Sequence, residues 1–165
     1  MAGSCRIVIS GIGTVSPVGI GNGTFWDNLI HSRSGVGFLE SVPGDAFPSR
    51  IAAEIRDFDP LQHVYCRKFL KVMSRDIQLG AASAAMAMQD SGLVPGQFDP
   101  ERLGVTFGSG RISTRPEDLV EAASVSANES AFENTRWGED SMGRIAPLWL
   151  LTVSYTHLRA HETGI

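Results

Sequence analysis

Three kinds of residue in this chain could carry chemistry: glycines that follow apolar runs, two cysteines, and cations that lie close together. The first glycine group is Gly11-Ile12-Gly13, which follows the run R-I-V-I-S at residues 6–10. A dinucleotide-binding turn needs a third glycine and the start of a helix here, but Ser16 and Pro17 stand at these positions. The pattern therefore favours a tight turn at the end of a strand over a nucleotide site.

The candidates for a nucleophile are equally incomplete. Ser109 lies directly between Gly108 and Gly110, whereas the hydrolase elbow has one residue between the serine and each glycine. Cys66 precedes Arg67, and a neighbouring cation can lower a thiol pKa. No histidine is an obvious base for Cys66, since His63 is only three residues away in the chain. A structural thiol is favoured over a nucleophile for Cys66.

A metal site is not expected either. His157 and His161 are four residues apart and could share one helical face, but the H-E order at His161 does not continue to a further histidine. Cys5 and Cys66 do not form a C-x-x-C pair, so neither a disulfide framework nor a structural zinc site is indicated. The sequence predicts no metal and no cofactor.

A cluster of cations precedes the most strongly periodic segment. Lys68, Lys71 and Arg75 would share one face of a helix, and Arg67 is adjacent. One interpretation is an ordinary solvated helix surface. The other is a docking patch for an acidic partner, which is notable because the chain as a whole has a net charge of −4.

The elements that must position these residues alternate between strands and helices. Residues 6–10 read as a buried strand, residues 103–107 as a further strand, and residues 50–55 as a brief one. Thr24, Asp59 and Thr114 stand where helices are expected to begin, while residues 124–143 are polar and aperiodic. The order indicates a layered α/β fold. One long helix ending at Ser91-Gly92 is predicted by the periodic residues Leu70, Met73, Ile77, Ala81, Ala84 and Met88.

Composition excludes several classes of protein. The 165 residues are 42% apolar and 19% charged, which is typical of a folded chain and not of a disordered one. Apolar stretches such as residues 145–153 are too short to cross a membrane. The negative net charge does not indicate a nucleic-acid-binding protein, which usually carries a basic surface. No signal peptide is visible at the N-terminus, so a cytoplasmic location is expected.

Taken together, four stretches resemble the N-terminal part of a β-ketoacyl-[acyl-carrier-protein] synthase of the thiolase-like superfamily. They are residues 6–19 with Phe25-Trp26 and residues 34–37; Phe58-Asp59-Pro60; Arg67-Lys68 with the helix that leads to Gly92; and residues 102–110. The resemblance implies an incomplete ketosynthase domain at residues 1–151 with a partial thiolase-like fold. The tail at residues 152–165 resembles translated sequencing-adapter DNA and is expected to be non-native.

The resemblance implies a decarboxylative Claisen condensation, in which an active-site cysteine takes an acyl group and malonyl-carrier protein supplies the carbanion. In the family that cysteine follows the segment that matches residues 145–151, and the two catalytic histidines come later still. None of the cysteines and histidines present matches these positions, so this polypeptide is expected to be inactive alone.

Two other roles are implied by the resemblance. Lys68 and Lys71, with Arg67 beside them, match the face that docks acyl carrier protein, and a homodimer is implied for the full-length protein. Arg111 stands where elongating synthases have an apolar residue near the end of the acyl pocket, which puts long-chain acyl substrates in doubt. The remaining alternatives are a non-catalytic chain-length partner of the same fold and an unrelated α/β binding module.

Overall fold

The structure of the protein, a computed structural model, describes residues 6–41, 48–64, 66–108, 114, 116–128, 131–145 and 147–149. The chain divides into two compact units. Unit 1 consists of residues 1–65 and 79–103, and unit 2 consists of residues 66–78 and 104–165. The described residues include helices, short antiparallel strand pairs and single helical turns, as expected for part of an α/β fold.

The two predicted strands at residues 6–10 and 103–107, the first of which was expected to be buried, are absent from the described structure. Ile7 is 96% exposed, Ile9 is 84% exposed and Val105 is 59% exposed. Neither run pairs with another strand among the residues that the structure describes. A β-branched run becomes a buried strand only where neighbouring strands accept its backbone hydrogen bonds, so the prediction was wrong for the structure of this chain.

Unit 1 contains a small hairpin followed by a helix. Strand β1 (Val15–Ser16) pairs antiparallel with β2 (Gly19–Ile20), and helix α1 covers Asn22–Ile30. The N-cap of α1 is Gly21, whose φ of 86° is one that glycine adopts without strain. The helix therefore begins two residues before Thr24, the predicted start.

A second hairpin in unit 1 confirms the predicted strand near residue 52. Strand β3 (Val36–Phe38) pairs antiparallel with β4 (Ile51–Ala53). Beyond it, the carboxylate of Asp59 accepts a hydrogen bond from the Leu61 N–H at 2.9 Å. Asp59 is thus the cap that the sequence predicted, although it begins only a short 3₁₀ turn, Pro60–Gln62. A similar turn covers Pro100–Arg102.

The predicted long helix is interrupted near its start. Helix α2 covers Arg67–Leu70 and helix α3 covers Arg75–Ser91. Ser74 is buried just before α3, and its hydroxyl accepts a long hydrogen bond of 3.5 Å from the Ile77 N–H. Ser74 thus occupies the capping position directly before α3, although the apolar period extends further back. The predicted end is confirmed, because Gly92 follows with a φ of 69°.

In unit 2, helix α4 (Pro116–Ser126) begins near the predicted capping box. The residues that follow are polar and aperiodic in sequence, but they form α5 (Asn134–Arg136), a π-helical turn (Trp137–Ser141) and a 3₁₀ turn (Met142–Arg144). Burial explains this difference. Ser126 and Ser141 are fully buried, and their hydroxyl oxygens are 2.6 Å apart, so these polar residues lie inside the unit.

Candidate functional site

The glycine turn of unit 1 packs directly on helix α3. Ser83, Ala87 and Ser91 lie four residues apart and therefore share one face of this helix. A Cβ atom at Gly13 would overlap the carbonyl oxygen of Ser83, and one at Gly11 would overlap that of Ala87. Neither glycine has a positive φ. Both are required for close packing against the helix and not for unusual backbone angles.

Polar side chains also hold this turn. The Ile12 N–H donates to the Asp90 carboxylate at 2.9 Å, and the Asn22 amide donates to the Ile12 carbonyl at 2.6 Å. An open cleft of about 230 Å³ lies beside these contacts, lined by Gly21, Met86 and Gln89 together with Asn22 and Asp90. A phosphate would need free N–H donors here, but a carboxylate already accepts the Ile12 N–H. The geometry is that of a structural turn.

A carboxylate that the sequence did not single out, Glu54, braces the second hairpin. It accepts hydrogen bonds from the backbone N–H groups of Glu40 at 3.0 Å and Ser41 at 3.1 Å. The Nη2 atom of Arg56 lies 3.6 Å from Oε2 of Glu54. Hydrogen bonding from the Ser41 side chain, followed by that from the Glu40 backbone, holds the pKa of Glu54 below its ordinary value. A lone glutamate after a short strand gives no sequence signal for this role.

The predicted docking cations lie together in unit 2. Arg67 and Lys68 are in helix α2, Lys71 follows it directly, and all three are exposed. They form no ion pair with any residue that the structure describes. Arg75 is half-buried at the first position of α3, so the prediction of one continuous helical face was wrong. We call Arg67, Lys68 and Lys71 the cationic segment.

The candidate thiol and its neighbouring histidine are in different units. Cys66 is half-buried in unit 2 at the N-cap position of α2, and its side chain makes no capping hydrogen bond. His63 is in unit 1, where its ring stacks on Phe58 with centroids 6.1 Å apart and planes 8° from parallel. Packing of the imidazole agrees with a structural role for His63.

Several residues named from the sequence lie outside the described residues: Cys5, Ser109, Gly110, Arg111, His157, His161 and the tail at residues 152–165. Within the described ranges, no three metal-binding side chains come together in a way that could hold an ion. Among the same residues, no helix combines the length and the apolar character that crossing a membrane requires.

Comparison with known proteins decides the family. The family model of the β-ketoacyl synthase N-terminal domain matches residues 4–147. The chain belongs to the β-ketoacyl synthase family. This confirms the resemblance found in the sequence and excludes an unrelated α/β binding module.

Two curated relatives show how much of a β-ketoacyl synthase the chain covers. The chain is 39% identical over 105 residues to a 3-oxoacyl-[acyl-carrier-protein] synthase 2 of Coxiella burnetii, covering 64% of this chain and 25% of that protein. It is 38% identical to the tetracenomycin polyketide synthase ketoacyl synthase alpha subunit of Streptomyces glaucescens, covering 63% and 24% of the two chains. The chain therefore spans about a quarter of the length of these relatives.

A solved structure supports the fold assignment for this β-ketoacyl synthase chain. The ishigamide ketosynthase/chain length factor is similar with a TM-score of 0.60 and 22% sequence identity, over 87% of this chain and 32% of that one. At this identity the likeness concerns the fold alone. It confirms the prediction of a partial thiolase-like α/β fold.

Proposed function

We propose that the chain is the N-terminal part of a β-ketoacyl-[acyl-carrier-protein] synthase. The full-length protein would condense an acyl thioester with malonyl-carrier protein, with loss of carbon dioxide, in fatty acid or polyketide synthesis. The match of the family model to residues 4–147 carries this proposal. The names of the relatives, one a 3-oxoacyl synthase and one a polyketide ketoacyl synthase, support both pathways equally.

The 165-residue chain is proposed to be inactive by itself. The condensation needs a cysteine thiolate as nucleophile and histidines that stabilise charge on the thioester and enolate oxygens. None of the cysteines and histidines in this chain occupies a position that matches those of the family. The ring of His63 stacks on Phe58 with ring centroids 6.1 Å apart, which supports a structural role for this histidine.

The proposed experiment compares the full-length protein with the 165-residue chain. Each is incubated with acyl and malonyl carrier protein, and the 3-oxoacyl product and carbon dioxide are measured. Product from the longer protein alone is the expected result. If the longer protein releases no product but restores activity to a partner subunit, it is instead a chain-length partner of the same fold.

The cationic segment is proposed to dock acyl carrier protein, the main partner of the full-length enzyme. The full-length enzyme is proposed to be a cytoplasmic homodimer. The three cations of the cationic segment are exposed and form no ion pair within the described part of the chain, so no ion pair of that part has to break when they meet an acidic surface. We expect Lys68→Glu with Lys71→Glu to weaken carrier-protein binding at low salt and much less at high salt. Equal binding by variant and wild type at low salt would contradict this docking role.

Arg111 is proposed to limit the acyl pocket. A guanidinium buried against an alkyl chain without a partner has a large desolvation cost, so long acyl chains would bind poorly beside it. Replacement of Arg111 by isoleucine is expected to lengthen the accepted acyl chain, measured as kcat/KM across a series of acyl-carrier proteins. An unchanged chain-length profile would show that Arg111 does not border the pocket.

A further inference from the structure

Helix α2 carries an exposed aromatic residue among its cations. Phe69 lies between Lys68 and Leu70 and is 44% exposed, whereas Leu70 is half-buried. Its backbone is fixed in the helix: the Phe69 N–H donates to the Cys66 carbonyl at 3.0 Å, and the Phe69 carbonyl accepts from the Met73 N–H at 3.1 Å. The ring is thus presented from an ordered backbone beside the cationic segment.

The surroundings of Phe69 set the chemistry of what it can meet. Arg67, Lys68 and Lys71 place three positive charges within five residues of a chain whose net charge is −4. An acidic surface is the complement of these charges, and a ring among them needs an apolar spot on that same surface. Interfaces of this kind combine a charged rim with a few aromatic anchors that carry much of the binding energy.

We propose that Phe69 is the apolar anchor of the docking surface, inserting into an apolar spot on an acidic carrier protein while the cationic segment steers the encounter. This inference rests on the proposed docking function and adds a separate, salt-independent part to it. Charge attraction between exposed groups is screened by salt and mainly sets the association rate. Burial of a ring is not screened and mainly slows dissociation.

The test measures the affinity of the full-length protein for purified acyl carrier protein at 50 mM and 500 mM salt. Phe69→Ala is expected to raise Kd by about five- to tenfold at both salt concentrations, through faster dissociation. Lys68→Glu with Lys71→Glu is expected to raise Kd mostly at the lower salt concentration. Phe38→Ala is the matched control, because Phe38 is 74% exposed on β3 in unit 1, away in sequence from the cationic segment.

A second ligand separates the ring from the charges. Polyglutamate has acidic groups but no apolar spot, so the lysine variants should weaken its binding while Phe69→Ala leaves it unchanged. Thermal unfolding of each variant is compared with that of the wild type, so that a loss of binding caused by general destabilisation is recognised.

The two proposals fail in different ways. If the wild-type protein does not bind carrier protein, the docking function itself is wrong. If the wild type binds and Phe69→Ala behaves like Phe38→Ala, the docking function stands and Phe69 is not its anchor. If Phe69→Ala loses affinity for carrier protein at 50 mM salt but not at 500 mM salt, the role of Phe69 as an apolar anchor is also wrong, because the loss is then a charge effect.

Discussion

At the scale of single residues, the close approach of the glycine turn to helix α3 has a measurable consequence. A Cβ atom at Gly13 would meet backbone atoms of Ser83, which cannot move aside as a flexible side chain would. We expect Gly13→Ala to destabilise the full-length protein by about 1–3 kcal/mol, the usual cost of overpacking, in urea unfolding.

Gly23 provides the control for this substitution. It lies in α1 and nothing is within 4 Å of a Cβ built there. Alanine is favoured over glycine in a helix, so Gly23→Ala is expected to stabilise by about 0.5–1 kcal/mol. If Gly13→Ala lowers the free energy of unfolding and Gly23→Ala raises it, packing determines the effect of each substitution. Destabilisation by both would point to another cause.

Glu54 gives a prediction about pH. Its pKa is held below the ordinary value in the folded state, first by hydrogen bonding from the Ser41 side chain. The ionised carboxylate therefore adds stability above the pKa of the unfolded chain, and this contribution is lost as the pH falls through the folded pKa. We expect Glu54→Gln to lower the urea midpoint at pH 7, with a difference that shrinks in acid.

Glu40→Gln tests the cause of this effect. Glu40 pairs with Arg56 at 3.3 Å through its exposed side chain, while its backbone N–H donates to Glu54. The substitution removes an exposed ion pair, which is worth little, and keeps the backbone donor. Glu40→Gln should leave the pH dependence of the urea midpoint intact. If Glu40→Gln and Glu54→Gln weaken this pH dependence equally, the effect is assigned to Arg56 instead.

At the scale of elements, two buried hydroxyls connect α4 with the π-helical turn. Ser126 and Ser141 are fully buried with their oxygens 2.6 Å apart. Alanine at either position leaves the other hydroxyl buried without this partner, so each single substitution should cost about 1–3 kcal/mol. Removing both should cost less than the sum of the two, as measured by a double-mutant cycle in urea.

Ser124 is the matched control on the same helix. It is exposed, and its hydroxyl donates to the Glu121 carbonyl at 2.8 Å. Ser124→Ala is expected to change stability by less than about 0.5 kcal/mol. Strict additivity of Ser126→Ala and Ser141→Ala would show that the two hydroxyls do not depend on each other.

The same elements show how far the sequence could predict this fold. Capping residues in the sequence predicted the ends of two elements correctly, because Asp59 caps its turn and Gly92 ends α3. The interruption before α3 was missed because the apolar period continues through Ser74, although serine is a strong capping residue. The helix after residue 126 was missed because its buried contacts join polar residues that are 15 positions apart.

The candidate site was predictable in composition but not in geometry. The cations of residues 67–71 were evident from the sequence, and the structure places them together on the surface. Phe69 was not singled out, since one aromatic residue in a helix usually packs inward. The packing role of Gly11 also could not be derived, because it depends on a helix face more than 70 residues further along the chain.

At the scale of the whole molecule, an apolar face on the second hairpin offers a surface through which copies of the 165-residue chain can associate. Val36 pairs with Ala53 and Phe38 with Ile51, and residues two apart in a strand point to the same side. Val36 is 57% exposed, Phe38 is 74% exposed and Ile51 is 68% exposed. A contiguous apolar face of this kind favours association between molecules.

We therefore expect the 165-residue chain to self-associate in a concentration-dependent way, measured by light scattering. Phe38→Lys with Ile51→Lys should reduce this association, because a charge on this face must be desolvated when two faces meet. Val120→Lys is the control, since Val120 is 61% exposed on α4 in unit 2 and belongs to no strand pair. If Val120→Lys reduces self-association equally, added charge alone keeps the molecules apart. If the hairpin variant does not reduce self-association, this face is excluded as the region of contact.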